Sequence, residues 1–192
     1  MIKRDRTIEL TDPRALRAVA HPIRLKLVGL LRREGPLTAT RAGELIGESP
    51  ASCSFHLRQL AKHGLVEEAG GGRGRERPWR ATALFTAWPN VPRDPELAAA
   101  AELLSAVLAE RYFEQVMRWL ELRADDTPAW QEAATFGDRM LYLTSDELAQ
   151  LNRDLEALLA PYDERTASPE TRPDDARLVS FIRFGFPQPD ER

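Results

Sequence analysis

Between Ser49 and Gly64 the chain reads Ser-Pro-Ala-Ser-Cys-Ser-Phe-His-Leu-Arg-Gln-Leu-Ala-Lys-His-Gly, followed at once by Leu65-Val66 and a Gly/Arg stretch over 70–77. Ser49 is a good helix cap, and Pro50 suits the first helical turn, where a missing N–H costs nothing. Cys53, Leu57 and Leu60 recur at helical spacing and predict a buried back face. The opposite face presents Ser49, Ala51, Ser52, Ser54, Phe55 and Arg58.

The segments on either side tell what that helix belongs to. Leu10-Thr-Asp-Pro starts a first short helix with Leu16, Val19 and Ala20 inward, and Pro22 opens a second with Ile23, Leu27, Leu30 and Leu31 inward, ending at Gly35-Pro36. Thr38 to Ile46 reads as a third helix carrying Ala42, Leu45 and Ile46 inward, closed by Gly47. Beyond Gly64, Leu65 to Glu68 and Trp79 to Thr82 are short strand candidates flanking the Gly- and Arg-rich connection Gly70 to Pro78. Helix, tight turn, helix and basic hairpin make a winged helix-turn-helix.

In that arrangement the second helix of the pair enters the major groove, and its N-terminal residues reach base edges and phosphates. The serines are short enough to hydrogen-bond the DNA backbone or base edges, Arg58 reaches a phosphate or a guanine, and Phe55 suits a thymine methyl, with an ordinary core position as its other reading. Arg73, Arg75 and Arg77 of the wing suit the phosphate backbone or an adjacent minor groove. Thr38, Thr40 and Arg41, at the start of the third helix, are further phosphate candidates because free amides and a positive dipole end gather there.

Charge divides the chain in the same way. Residues 1–92 carry 16 Lys/Arg against 9 Asp/Glu, whereas residues 93–192 carry 11 against 21. The basic half suits a polyanion, since each neutralised phosphate releases counterions. The acidic half would be repelled by the same duplex and is expected to do another job. Three prolines between Trp88 and Pro95 mark the boundary, so the expected domains are a DNA-binding domain at 1–92 and a dimerisation or effector domain at 93–192.

In the second half, Pro95 to about Arg123 reads as one long helix with Leu97, Ala101, Leu104, Leu108, Tyr112 and Val116 recurring at three or four residues. Thr144-Ser-Asp-Glu147 matches a capping box, and Leu148, Leu151, Leu155, Leu158 and Tyr162 follow on one stripe. Two β-like runs, Arg139 to Leu143 and Leu178 to Phe184, are expected to pair, and residues 163–176 read as a loop. The fold class is therefore mainly α with small β elements: a winged helix-turn-helix domain plus a helical C-terminal domain with a short two-stranded sheet.

Twelve of the 14 aromatic residues lie after residue 84. Aromatic walls suit flat or greasy small molecules, which makes Trp88, Tyr112, Trp119 and Tyr142 candidates for binding an organic effector. A filled core and a dimer interface need the same residues. The Pro95 to Arg123 helix is the candidate for joining two copies and spacing their wings over successive half-sites.

Other classes are excluded by what is missing. Cys53 is the single cysteine and is read as a packing residue, so no intrachain disulfide or thiolate metal cluster forms. There is no Gly-rich phosphate loop, His-Glu-x-x-His site or nucleophile elbow, so catalysis is not expected, nor is a cofactor. No apolar run approaches the length of a membrane span, and Met-Ile-Lys-Arg-Asp-Arg lacks the apolar core of a signal peptide, so a cytoplasmic location is expected. The competing reading is a winged helix that docks other proteins without specific DNA binding.

Two motifs carry a family resemblance: Ala18-Val-Ala-His-Pro-Ile-Arg-Leu-Lys-Leu-Val28, and Ser54-Phe-His-Leu57 running on to Leu60-Ala-Lys-His-Gly-Leu-Val66. Together they resemble the ArsR family of winged-helix repressors, over about residues 10–84. The resemblance implies a homodimeric regulator that binds an imperfect palindrome and changes affinity when an effector arrives. Metal-sensing members use cysteines on the third helix, or His/Asp/Glu sites near the chain termini. Here Thr38 to Ile46 holds no cysteine and all three histidines lie at or before residue 63, so no metal site is expected. His21 and His56 fall where the family commonly has histidine, which implies packing and hydrogen-bonding roles.

Overall fold

The computed structural model describes residues 7–72 and 77–189. The chain forms two compact units, Met1–Phe113 and Glu114–Arg192. The N-terminal unit contains β1 (Thr7–Glu9), α1 (Pro13–Val19), α2 (Pro22–Glu34), α3 (Ala39–Ile46), α4 (Pro50–Ala61), β2 (Val66–Glu68), β3 (Trp79–Ala81), β4 (Phe85–Ala87) and the first part of α5 (Pro95–Leu122).

Each of the first four helices starts on a side chain that accepts a hydrogen bond from an otherwise orphaned backbone N–H. Asp12 accepts from the Arg14 N–H at 2.8 Å and His21 Nδ1 from that of Ile23 at 3.2 Å. Thr38 accepts from the Arg41 N–H, and Ser49 from that of Ser52, both at 3.1 Å. Pro13, Pro22 and Pro50 occupy the first helical turn, as the sequence predicts.

The turn from α3 to α4 depends on two glycines. Gly47 ends α3 at φ +74°, a left-handed conformation that a side chain would strain. A Cβ on Gly43 would sit 2.5 Å from the Glu48 carbonyl oxygen, while the Glu48 N–H donates to the Gly43 carbonyl at 2.9 Å. That close approach takes the inward place on α3. Leu45, expected inward, is 45% exposed; Ala42 is buried as expected, and Gly43 is buried beside it.

Leu16, Leu27, Leu31, Leu57, Leu60 and Leu65 form the centre of the core, with Cys53 fully buried among them. β2 and β3 pair antiparallel with Glu67 opposite Arg80, forming the stem of the expected wing. β1 and β4, which the sequence does not announce, pair parallel with Ile8 opposite Thr86. The Arg32 guanidinium ties α2 to this region, donating to the Ala83 carbonyl at 3.0 Å and to Thr86 Oγ1 at 2.7 Å. Burial pushes its pKa down to about 10.

The unit boundary falls inside α5, beyond the proline-rich segment, because Ala100, Ala101 and Leu104 are buried in the N-terminal core. Arg17 of α1 also pairs with Glu96 at 2.9 Å.

The C-terminal unit continues α5 and adds a 3-10 turn (Arg123–Asp125), α6 (Pro128–Ala133), α7 (Ser145–Ala167) and a second 3-10 turn (Pro169–Thr171). The expected capping box is formed: Thr144 Oγ1 accepts from the Glu147 N–H at 3.3 Å and the Glu147 carboxylate accepts from the Thr144 N–H at 2.8 Å. α7 runs on to Ala167 rather than giving way to the loop expected from residue 163, and Arg172 donates to its end carbonyls, Arg165 at 2.6 Å and Thr166 at 3.2 Å.

The runs 139–143 and 178–184 form no strands. Met140, Tyr142, Val179 and Phe181 all stand exposed, and a strand pair without a covered face is marginal in water. Both sheets among the described residues belong to the N-terminal unit. No described helix is long and apolar enough to cross a membrane.

Candidate nucleic-acid interface

The candidate reading helix, α4, is held from behind. Cys53, Leu57 and Leu60 are fully buried, and α4 packs against α1, α2, α3 and β2. Ala51, Phe55 and Arg58 are exposed on its other side, Ser52 and Ser54 are half-buried, and the helix contains no Asp or Glu. Arg58 has no ion-pair partner among the described residues. Ser49 has a structural duty as the cap, its oxygen occupied by the Ser52 N–H, which leaves its hydroxyl hydrogen free to donate.

At the front of α3, Thr38 is the cap, and Thr40 and Arg41 are exposed. Arg41 pairs with Glu44 at 2.7 Å and Arg77, at the wing stem, pairs with Glu68 at 3.4 Å. Exposed pairs of this kind are worth at most about 1 kcal/mol, so either cation can exchange its carboxylate for a phosphate at little cost. Arg73 and Arg75 lie outside the described residues.

A group of polar side chains gathers around His56 of α4, where the family resemblance implies packing and hydrogen-bonding roles for His21 and His56. The His21 and His56 rings lie 4.7 Å apart, centroid to centroid. Burial, and then Arg24, lower the His21 pKa; burial, His21 and Arg24 lower that of His56, with Glu48 opposing in both cases. The imidazoles are therefore kept neutral. Arg24 Nε and His56 Nδ1 are buried with no hydrogen-bond partner among the described residues. Burial, seconded by Glu48, pushes the Cys53 thiol up, which keeps it protonated and unreactive.

The four candidate effector residues divide between the units. In the N-terminal unit Trp88 packs half-buried against the core and Tyr112 is half-buried. In the C-terminal unit Trp119 lies 6.2 Å from the Phe136 ring, and Tyr142 is fully exposed. Among the described residues no three His, Cys, Asp or Glu side chains are grouped to hold a metal ion.

Residues 19–69 match the family model described as a helix-turn-helix domain, a span that includes α2, the α3–α4 pair and β2. No curated protein matches the chain. A solved structure described as "Crystal structure of Possible transcriptional regulator for arsenical resistance" is 27% identical, over 59% of this chain and 96% of that one, with a TM-score of 0.32. The helix pair, its buried back and its wing stem make the N-terminal unit a winged helix-turn-helix domain. The class this defines is a DNA-binding regulator.

Proposed function

We propose that this chain is a cytoplasmic, homodimeric transcriptional repressor of ArsR type that binds a palindromic operator through α4 and the wing. The observation that carries the reading is the contrast between the two sides of α4. A fully buried back fixes its position, and a front without carboxylates offers Ala51, Ser52, Ser54, Phe55 and Arg58 to a groove. Thr38, Thr40, Arg41, Ser49 and the wing residues Arg73, Arg75 and Arg77 supply the surrounding phosphate contacts.

Dimer formation is supported by α5, where Leu103 and Phe113 stand exposed on a helix that buries Ala100, Ala101 and Leu104. A second copy laid along this face would remove both from water. The division of labour in this reading is DNA binding by residues 1–92 and dimerisation and effector response by residues 93–192, with the first turns of α5 packed on the DNA-binding core. A small organic ligand bound through the aromatic residues of one unit, Trp88 and Tyr112 in the first or Trp119 and Tyr142 in the second, or a physical signal, would act by favouring one arrangement of the dimer over another.

Retention of the full chain on duplex DNA across a salt series tests the reading. Log affinity should fall linearly with log salt, with a slope of about −0.9 for each phosphate neutralised. Arg58→Ala should weaken binding to a selected operator by about 1 to 3 kcal/mol if Arg58 reads a base, and equally on all sequences if it holds a phosphate. Flat, salt-independent retention would sink the proposal in favour of a protein-docking winged helix. Leu103→Glu should shift the full chain from dimer to monomer in sedimentation.

A further inference from the structure

One side chain on the front of α4 is out of keeping with a helix whose other side fills the core. Phe55 is 51% exposed, although leaving a phenyl ring in water forfeits most of the gain from burying it. It stands outside the hydrophobic cluster that takes in Cys53, Leu57 and Leu60, so core packing does not account for it. The ring meets the His56 imidazole edge-on, with centroids 5.2 Å apart and planes at 75°. His56 is itself lodged against His21, so Phe55 has a firm neighbour on one side and open solvent on the other.

The surroundings of the ring decide what it can meet. Ala51, one turn earlier, is exposed and adds a second small apolar surface. Arg58, one turn later, brings an exposed cation, and α4 carries no carboxylate to repel a polyanion. Among the groups that bases present in the major groove, the apolar one is the thymine 5-methyl.

We propose that Phe55 is a specificity-determining residue that selects thymine, its ring packing against the 5-methyl group of a base under α4. The assignment rests on the DNA-reading role of α4 proposed above. It predicts discrimination by a methyl group, independent of any hydrogen bond. Cytosine, which lacks the methyl, and uracil, which pairs as thymine does, should both be disfavoured at that position.

The test isolates that methyl. The full chain selects its site from a random-sequence duplex library, and synthetic duplexes of the selected site then carry deoxyuridine in place of one thymine at a time. For the unaltered protein, at least one replacement should weaken binding about fourfold, the effect of one buried methyl group. Phe55→Ala should bind more weakly and show no further loss at that replacement, whereas Phe55→Leu should keep part of the sensitivity.

Circular dichroism of both variants checks that the helices are intact, as expected at an exposed position. If the unaltered protein ignores every deoxyuridine, or if Phe55→Ala stays equally sensitive, the thymine assignment is wrong while DNA binding stands. If the unaltered protein selects no sequence and shows no salt-dependent retention, the reading role of α4 itself is lost.

Discussion

α4 and α7 begin alike and end in different circumstances. Ser49 accepts from the Ser52 N–H at 3.1 Å and Thr144 from the Glu147 N–H at 3.3 Å, so each helix is started by the same local device. α4 then buries Cys53, Leu57 and Leu60 completely, while Leu151, Leu158 and Tyr162 of α7 remain exposed. The contrast extends to the whole of each unit: the buried apolar residues lie between Leu10 and Leu104, and none of the described residues beyond Phe113 is buried. A cap decides where a helix starts; burial decides whether it is held in one orientation. A helix that must meet a groove in register needs both.

The largest effect that would sharpen this contrast is a truncation in each helix. Leu57→Ala should destabilise the N-terminal unit by about 2 to 5 kcal/mol, and Leu158→Ala should stay within about 0.5 kcal/mol, by urea unfolding of the full chain. Equal losses would mean that Leu158 is covered in solution, and that α7 is held as α4 is.

Removing the caps should have a smaller effect, of a different kind in each unit. Thr38→Ala should cost about 1 kcal/mol in the main unfolding transition, because α3 is packed against α4. Thr144→Ala should lower helicity in the far ultraviolet while leaving that transition in place, since α7 buries no described side chain.

The smallest effect concerns pH. His21 and His56 titrate in the fold below their ordinary value of 6.5, chiefly through burial. As pH falls, the unfolded chain therefore takes up these protons first. Their contribution is fully present above about pH 6.5 and is lost as pH drops through the lower folded values. The urea midpoint of the N-terminal unit should fall between about pH 7.5 and pH 5, and His56→Asn should flatten part of that slope. An unchanged slope in the variant would remove His56 from the account.

Much of the N-terminal unit was legible because its signals are local. Asp12, Thr38 and Ser49 cap within three residues of themselves, the prolines at 13, 22 and 50 sit in first turns, and Gly47 closes α3. The β1–β4 pair escaped notice because three residues per strand are too few to show a period, and their pairing joins segments far apart in the chain. Leu45 was misplaced for a related reason: the inward direction of α3 is set by the approach of Gly43 to Glu48, which periodicity does not reveal. In the C-terminal unit, runs of β-forming residues at 139–143 and 178–184 suggested strands, but propensity without a covered face makes no sheet.

The candidate interface shows the same division. Serines, Phe55 and Arg58 could be assigned to one side of a helix from spacing alone, whereas the sequence left Phe55 open as a core residue or a reading residue. Its exposure removes the core reading. Likewise the rings of His21 and His56, distant in the chain, come within 4.7 Å of each other beside Arg24 only when α2 and α4 pack.

By itself the sequence determined where the helices of the reading motif begin and end, which face of α4 is apolar and how charge divides along the chain, since caps, turns and periodicity act over a few residues. Tertiary structure alone decided that α5 lends its first turns to the N-terminal core, that β1 joins β4, and that the apolar stripe of α7 stays uncovered. Those outcomes depend on which surfaces meet, and long-range contact carries no signature in any short stretch of chain.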